Sequence, residues 1–143
     1  MIIDQHILDD LTAAAKASPR LRMNLDLRNG PADSSQRMLN AMEPGTVLPI
    51  HRHRFSSETV VCLRGRLREL FYNDRGEVTE VIDMTPGGAG GSTDGDGAGI
   101  SCVGLNIPAG QWHTVEVLES GTVILECKDG PYAPLSQEDI LEL

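Results

Sequence analysis

Aromatic residues are scarce in this 143-residue sequence, and no apolar run approaches the length of a membrane-spanning segment. The five aromatic side chains, Phe55, Phe71, Tyr72, Trp112 and Tyr132, are too few for a platform on which nucleic-acid bases stack. A membrane helix needs ~20 consecutive apolar residues. The first ten residues carry acids where a signal peptide carries its positive charge. We therefore expect no nucleic-acid partner, no membrane partner and no export signal.

Positive charge and cysteine are also sparse. Twelve Lys and Arg stand against 21 Asp and Glu, a formal net charge of −9, so phosphate backbones and anionic lipid surfaces are repelled on average. The three cysteines, Cys62, Cys102 and Cys127, lie in apolar stretches without a CxxC pair. This usage indicates buried thiols in a reducing compartment, and we predict a cytoplasmic location.

The length predicts one domain over residues 1–143 that needs neither a disulfide nor a metal to fold. Residues 4–17 are predicted to form a helix with Asp4 as N-cap, ending before Pro19. Over 20–28, leucine and methionine alternate with polar residues, a pattern typical of a half-buried strand. Further strands are predicted at 36–43, 46–51, 58–63, 66–73, 77–83, 101–107, 112–118 and 122–128. A short helix is predicted to begin at Ser136.

Many short strands with regular turns predict an all-β antiparallel sandwich or barrel. We divide the domain into an N-terminal helical segment (1–19), a β-barrel (20–132) and a C-terminal tail (133–143). The Gly-rich segment 86–99 lacks the lysine of a phosphate-binding loop and the acid spacing of a calcium loop. We predict a flexible hairpin loop there.

Two histidines, His51 and His53, are separated by one residue in a strand-like stretch. Side chains two apart on a strand point to the same face, so both imidazoles can reach one point. A turn through 54–57 would return Glu58 to the same place, and His113 could complete the set from across the barrel. Imidazoles with a carboxylate are typical ligands of zinc, iron, nickel or manganese.

A longer spacing pattern contains these residues. Five residues separate Gly45 from His51, one separates His51 from His53, four separate His53 from Glu58, and six separate Glu58 from Gly65. This stretch resembles the first motif of the cupin superfamily. Residues 108–113 resemble the core of its second motif, although Cys102 and Val117 depart from that motif. The resemblance implies a double-stranded β-helix (jelly-roll barrel) and one divalent transition metal held by His51, His53, Glu58 and His113. In some cupins the glutamate is not a ligand.

A closer resemblance covers most of the chain. The runs 18–25, 36–39 and 126–132, with the histidine motif, are similar to the WbuC family of small cupin-fold metalloproteins. Members of that family occur near bacterial surface-polysaccharide genes. This resemblance implies a metal-binding protein that acts on or binds a small polar molecule, and a sugar-related role in surface-polysaccharide metabolism.

The reaction stays open at this point. The site suits an iron-dependent dioxygenase or a metal that polarises a sugar oxygen, but it equally suits a non-enzymatic ligand-binding or sensing module. Arg20, Arg22 and Arg28 fall on one face of the first strand, and we expect at least one to bind an anionic or polyhydroxylated ligand near the metal. Candidate acids or bases are Glu69, Tyr72 and Glu116. We also predict a homodimer that uses strand 20–28.

Overall fold

The computed structural model describes residues 1–88 and 100–143. Within this part of the chain, one α-helix and eleven strands follow one another: α1 (Gln5–Ala17), β1 (Arg22–Asp26), β2 (Ser35–Met42), β3 (Ile50–His51), β4 (Glu58–Arg64), β5 (Leu67–Tyr72), β6 (Val78–Met84), β7 (Ile100–Cys102), β8 (Gly104–Ile107), β9 (Trp112–Val117), β10 (Thr122–Asp129) and β11 (Ile140–Leu141).

The strands form two sheets that pack face to face. The order is β1-β2-β10-β4-β8 in the five-stranded sheet and β11-β3-β9-β5-β6-β7 in the six-stranded sheet. Buried residues from both sheets form a common core that includes Met42, Val60, Ile124, Leu67 and Met84. This arrangement confirms the predicted all-β jelly-roll fold.

Helix α1 covers the outer face of the five-stranded sheet. Its N-cap Asp4 accepts a hydrogen bond from the backbone N–H of Ile7 at 3.1 Å. Leu8, Leu11 and Ala15 recur on one face and are buried in a second apolar cluster outside the barrel. No helix of the described residues is long and apolar enough to cross a membrane.

Strand β10 contributes side chains to both apolar clusters because its residues alternate between two faces. Val123 is buried in the outer cluster beneath α1, whereas Ile124 is buried in the barrel core. Two residues and four residues further on, Glu126 and Lys128 lie on the same face as Ile124. The barrel interior therefore changes along this strand from apolar to acidic to basic.

Two strands differ in extent from the sequence prediction. The strand predicted at 46–51 is ordered as a strand only over Ile50–His51. The strand predicted at 101–107 is divided between the two sheets, as β7 and β8. Its break precedes Gly104, where a Cβ would collide with the carbonyl of Val60, so only glycine permits this approach of two backbones.

The predicted C-terminal helix is present only as a very short 3₁₀ helix that follows Ser136. Residues Gln137–Asp139 form a single 3₁₀ turn, and Ile140–Leu141 then pair with β3 as strand β11. The Ser136 side chain donates to the Asp139 carboxylate at 3.0 Å instead of capping a helix. Asp139 is further held by Arg52 and Arg54, which fixes the end of the chain against the barrel.

The Gly-rich segment 86–99 falls mostly outside the described residues, because the description resumes at residue 100. The strands on either side of it are described, however. Strands β6 and β7 pair in parallel, with Ile82 opposite Ile100 and Met84 opposite Cys102. A hairpin joins antiparallel strands, so the prediction of a hairpin at this place is wrong.

Candidate metal centre

Three histidines converge at one end of the barrel. His51 on β3 is paired directly with His113 on β9, and His53 follows two residues later. The ring centroid of His51 lies 5.2 Å from that of His53 and 4.3 Å from that of His113. One ligand atom from each ring lies within 4.8 Å of the others, a separation that suits three ligands of one ion.

Backbone carbonyls orient two of the rings. Nδ1 of His51 lies 2.9 Å from the Pro49 carbonyl, and Nδ1 of His113 lies 2.8 Å from the Gln111 carbonyl. A carbonyl only accepts hydrogen bonds, so each Nδ1 carries the hydrogen and Nε2 of the neutral ring keeps its lone pair. Both lone pairs are therefore available to a metal.

The turn before β9 fixes His53. The carbonyl of His53 accepts a 2.8 Å hydrogen bond from the N–H of Gly110. Gly110 has a φ of 86°, which glycine adopts without steric cost. The Pro-Ala-Gly sequence thus determines the position of two candidate ligands: it precedes His113 and binds the main chain of His53.

Glu58, the first residue of β4, completes the group. Its Oε2 lies 3.4 Å from Nε2 of His53 and 3.8 Å from Nε2 of His113. This oxygen is buried and has no hydrogen-bond partner among the described residues, a costly state for a carboxylate. A divalent cation between the oxygen and the imidazoles would remove that cost, so the four residues fit a metal ion.

The histidines are uncharged at neutral pH. Burial, followed by the neighbouring His113, lowers the pKa of His51 to about 4. Burial, followed by the Lys128 ammonium, lowers the pKa of His53 to about 3. Burial also lowers the pKa of His113. Neutral imidazole is the form that binds metals.

Two further carboxyl groups lie deeper in the barrel. Glu69 and Glu126, with His51, Glu58 and His113, line a small inner cavity of about 30 Å³, enough for a water-sized group. Burial raises the pKa of Glu126 to about 8, with smaller contributions from Glu58. The same causes raise the pKa of Glu69 well above its ordinary value. The carboxyl groups of Glu69 and Glu126 therefore keep their protons at pH values at which exposed glutamates are ionised.

A larger cavity of about 280 Å³ lies on the outer side of His53, and we call it the mouth cavity. Its lining includes His53, Lys128, Arg52, Arg54, Phe55, Pro134, Leu135, Asp129 and Asp139. The Lys128 Nζ lies 3.4 Å from Nε2 of His53. A ligand in the mouth cavity would therefore meet a candidate metal ligand and a cation together.

The arginines of the first strand lie elsewhere. Arg22 donates to the carbonyl of Val47 at 3.0 Å, and Arg28 pairs with Asp26 at 2.9 Å. Arg20 is exposed. None of these three lines the mouth cavity or the inner cavity. Their role in ligand binding stays a prediction.

Of the candidate acids and bases, the structure places Glu69 in the inner cavity, while Glu116 is exposed on β9. Sequence reasoning missed Glu126 and Lys128, which the structure places beside the histidines. The signal was present as an alternation over 122–129, in which Ile124, Glu126 and Lys128 share one face. That face could be identified as the inner one only after the histidines had been assigned to the barrel interior.

The jelly-roll barrel has the cupin-type fold, and solved structures of low sequence identity agree with this fold. The capsular polysaccharide assembling protein CapF from Staphylococcus aureus matches with a TM-score of 0.59 and 21% identity, over 88% of this chain and 32% of its own. KdgF from Halomonas sp. matches with a TM-score of 0.55 and 11% identity, over 80% and 84% of the two chains. Oxalate decarboxylase OxdC from Bacillus subtilis matches with a TM-score of 0.53 and 18% identity, over 78% and 27%.

The family is identified by sequence. Residues 3–84, more than half of the chain, match the family described as Domain of unknown function (DUF6016), and the chain belongs to this family. Comparison with the curated proteins finds no match. The chain spans about a third of the length of CapF, and manganese(II) centres are described for the B. subtilis decarboxylase.

Proposed function

We propose that the protein binds one divalent transition metal through His51, His53 and His113, with Glu58 as the fourth ligand. A small polar molecule then binds at the remaining coordination positions. The observation that carries this proposal is the buried Oε2 of Glu58, which faces two imidazole nitrogens and has no hydrogen-bond partner in the described part of the chain.

Three nitrogens and one oxygen suit zinc, nickel, iron or manganese. Bound there, such an ion would polarise an oxygen of the ligand as a Lewis acid. The chain's own residues exclude water and hold protons. Glu58 is buried beside the rings, and burial keeps the proton on the neighbouring Glu126 at neutral pH. The group most suited to proton transfer is therefore this carboxyl pair.

A sugar-related ligand is the class we favour. The resemblance to the WbuC family implies a place near surface-polysaccharide metabolism, and the structural neighbour CapF is described as a capsular polysaccharide assembling protein. The mouth cavity is lined by charged groups together with Phe55 and Leu135, a mixture suited to a polyhydroxylated molecule with an apolar face.

Two other functions share the same site. The protein is a metal-dependent binding or sensing module if the bound molecule is released without chemical change. It is an iron-dependent dioxygenase if the metal is redox-active. Metal content separates these alternatives. Iron in the protein purified without added metal favours the dioxygenase, and zinc or nickel favours polarisation or binding without redox chemistry.

The metal site is tested by the variant H51A/H53A. We expect about one metal per chain in the wild-type protein and none in the double variant, because two of four ligands are lost. Elemental analysis after gel filtration measures both values. The control H6A removes an exposed imidazole from α1 and should leave the stoichiometry unchanged. Metal retained at full stoichiometry in H51A/H53A would refute the assignment.

We also retain three predictions about the whole protein: a single cupin domain, a homodimer and a cytoplasmic location. Strand β1 has one free edge in the five-stranded sheet, since β2 is its neighbour, and such an edge can pair with a second copy. Its apolar residues Met23 and Leu25 pack against the α1 cluster of the same chain. A dimer would therefore use the backbone edge of β1. Three free cysteines suit a reducing compartment.

A further inference from the structure

The ammonium of Lys128 occupies an unusual position. It is half-buried, it lies 3.4 Å from Nε2 of His53, and it lines the mouth cavity. No carboxylate of the described residues pairs with it. By contrast, the other two cations of the mouth cavity are neutralised. Arg54 lies 2.8 Å from Glu138 and 2.7 Å from Asp139, and Arg52 lies 3.4 Å from Asp139.

Strand register determines this position. Lys128 on β10 is directly opposite Glu58 on β4, so both side chains project from neighbouring strands into the same end of the barrel. An ion bound to Nε2 of His53 would be about 2.0–2.1 Å from that nitrogen. The ammonium could then lie no more than about 5.5 Å from the ion. At that separation two like charges repel, and an anion between them relieves the repulsion.

We infer that Lys128 and the metal together bind the carboxylate of a small organic acid that enters through the mouth cavity. The carboxylate would accept a hydrogen bond from the ammonium while it also faces the candidate metal ligands. This inference rests on the proposed metal site and adds the ligand class and the residue that selects it.

The charge around the mouth cavity favours a carboxylate over a phosphate. A divalent metal and the Lys128 ammonium would supply three positive charges, and the carboxylates of Glu58 and Asp129 offset two of them, which leaves one net positive charge for an incoming anion. A phosphate monoester carries nearly two negative charges at neutral pH, so a carboxylate matches that net charge more closely. The net charge of −9 does not prevent binding, because salt screens fields beyond ~8 Å.

The composition provides a matched control. The chain contains two lysines, Lys128 and Lys16, and Lys16 is exposed in the last turn of α1. The variants K128M and K16M each remove one ammonium, and K128R keeps the charge. Metal content is measured first in each protein. Calorimetric titration with glycolate then measures anion affinity at equal metal loading, with methyl glycolate as the uncharged analogue and inorganic phosphate as the competing anion.

We expect K128M to retain about one metal per chain and to bind glycolate at least tenfold more weakly than the wild-type protein. K128R should stay within about threefold of the wild type, and K16M should be unchanged. Methyl glycolate should bind equally to all four proteins. Equal glycolate affinity in K128M and wild type, no binding of glycolate by metal-loaded wild type, or tighter Lys128-dependent binding of phosphate would overturn the inference. Loss of metal from the wild-type protein would instead refute the metal site.

A second measurement needs no substitution and applies even where K128M does not fold. Acetic anhydride acetylates lysine side chains through their neutral amine form and releases acetate, and peptide mass spectrometry reports Lys16 and Lys128 separately. Glycolate added to the metal-loaded wild type should slow modification of Lys128 at least severalfold and leave Lys16 unaffected. Equal modification of Lys128 with and without glycolate contradicts the inference.

Discussion

Individual ionisable residues in the barrel have pKa shifts in opposite directions. Burial disfavours charge, so the pKa of His51 falls to about 4 and the pKa of Glu126 rises to about 8. Both shifts keep the groups neutral near pH 7. In the metal-free protein the candidate site is therefore a nearly uncharged group of imidazoles and carboxyls around Glu58.

These shifts predict how the stability of the metal-free protein depends on pH. A histidine with a lowered pKa stabilises the fold above its unfolded value of ~6.5 and loses that contribution as the pH falls toward 3–4. A glutamate with a raised pKa stabilises the fold below ~4.5 and loses that contribution as the pH rises toward 8. Between pH 6.5 and pH 8 the folded glutamates hold protons that the unfolded chain has already lost, which lowers the unfolding free energy as the pH rises. The unfolded histidines lose their last protons over the same interval and make a smaller contribution of the opposite sign.

Urea unfolding of metal-free protein at pH 6.5 and pH 8 tests this expectation. The wild type should lose about 1–2 kcal/mol over this interval. E126Q should lose less, because glutamine cannot ionise. The control E116Q changes an exposed glutamate and should behave as wild type. A wild-type stability that is constant or rises over the interval would contradict the assignment.

The spacing pattern predicted that His51, His53, Glu58 and His113 lie close together, and the structure places their side chains near one another. Their role as metal ligands stays a prediction. The sequence did not predict that the side chains of Lys128 and Glu126 lie beside the histidines. Their positions depend on which face of β10 points inward and on the residues opposite them, Glu58 and Val60. Cross-strand register between residues 58 and 128 is a tertiary property that local alternation does not contain.

At the scale of elements, the turn between β4 and β5 is a close steric constraint. Gly65 has a φ of 83°, and a Cβ there would lie 2.7 Å from the Cα of Thr122. Thr122 is fully buried, and its hydroxyl accepts from the N–H of Arg66 at 3.1 Å and donates to the Glu119 carbonyl at 2.7 Å. The turn therefore has no room to adjust.

We predict that G65A destabilises the protein by about 3–5 kcal/mol, because backbone strain and a collision with Thr122 act together. The control G130A has a similar φ of 82° with no atom within 4 Å of the added Cβ, so only strain of about 1–2 kcal/mol applies. Chemical denaturation measures both values. Equal losses in the two variants would show that the contact with Thr122 contributes nothing.

The elements that sequence reasoning placed wrongly share a physical reason. At 136–141 the local capping pattern favoured a helix, but the edge of β3 offered backbone hydrogen bonds to Ile140 and Leu141. At 101–107 an apolar run looked continuous, but Gly104 lets the chain move from one sheet to the other. Long-range pairing decided both cases, and local propensity is a weak guide where it does.

At the scale of the whole molecule, most of the apolar core lies away from the metal ligands. The barrel core contains buried residues from both sheets, and the outer cluster beneath α1 adds Leu39, Val123 and their neighbours. Neither cluster includes any of the four candidate ligands. We therefore expect apolar packing to hold the fold whether or not a metal is bound.

We accordingly predict that the fold survives exhaustive chelation. The far-ultraviolet circular dichroism of the metal-free protein should keep its β signature, while the melting temperature falls because a bound ion stabilises only the folded state. Readdition of metal should restore the melting temperature. A random-coil spectrum after chelation would show that the ion is required for folding.

Strand β3, which carries His51, lies between β9 and β11 in its sheet. Both neighbours are encoded far downstream of it, roughly sixty and ninety residues later. A ribosome therefore releases His51 and His53 well before the strands that hold them in place exist. Non-local strand pairings form only after both strands have been synthesised. A nascent chain therefore contains His51 and His53 before the candidate metal centre can form. We therefore expect a metal to be bound only after β9 and β11 have paired with β3.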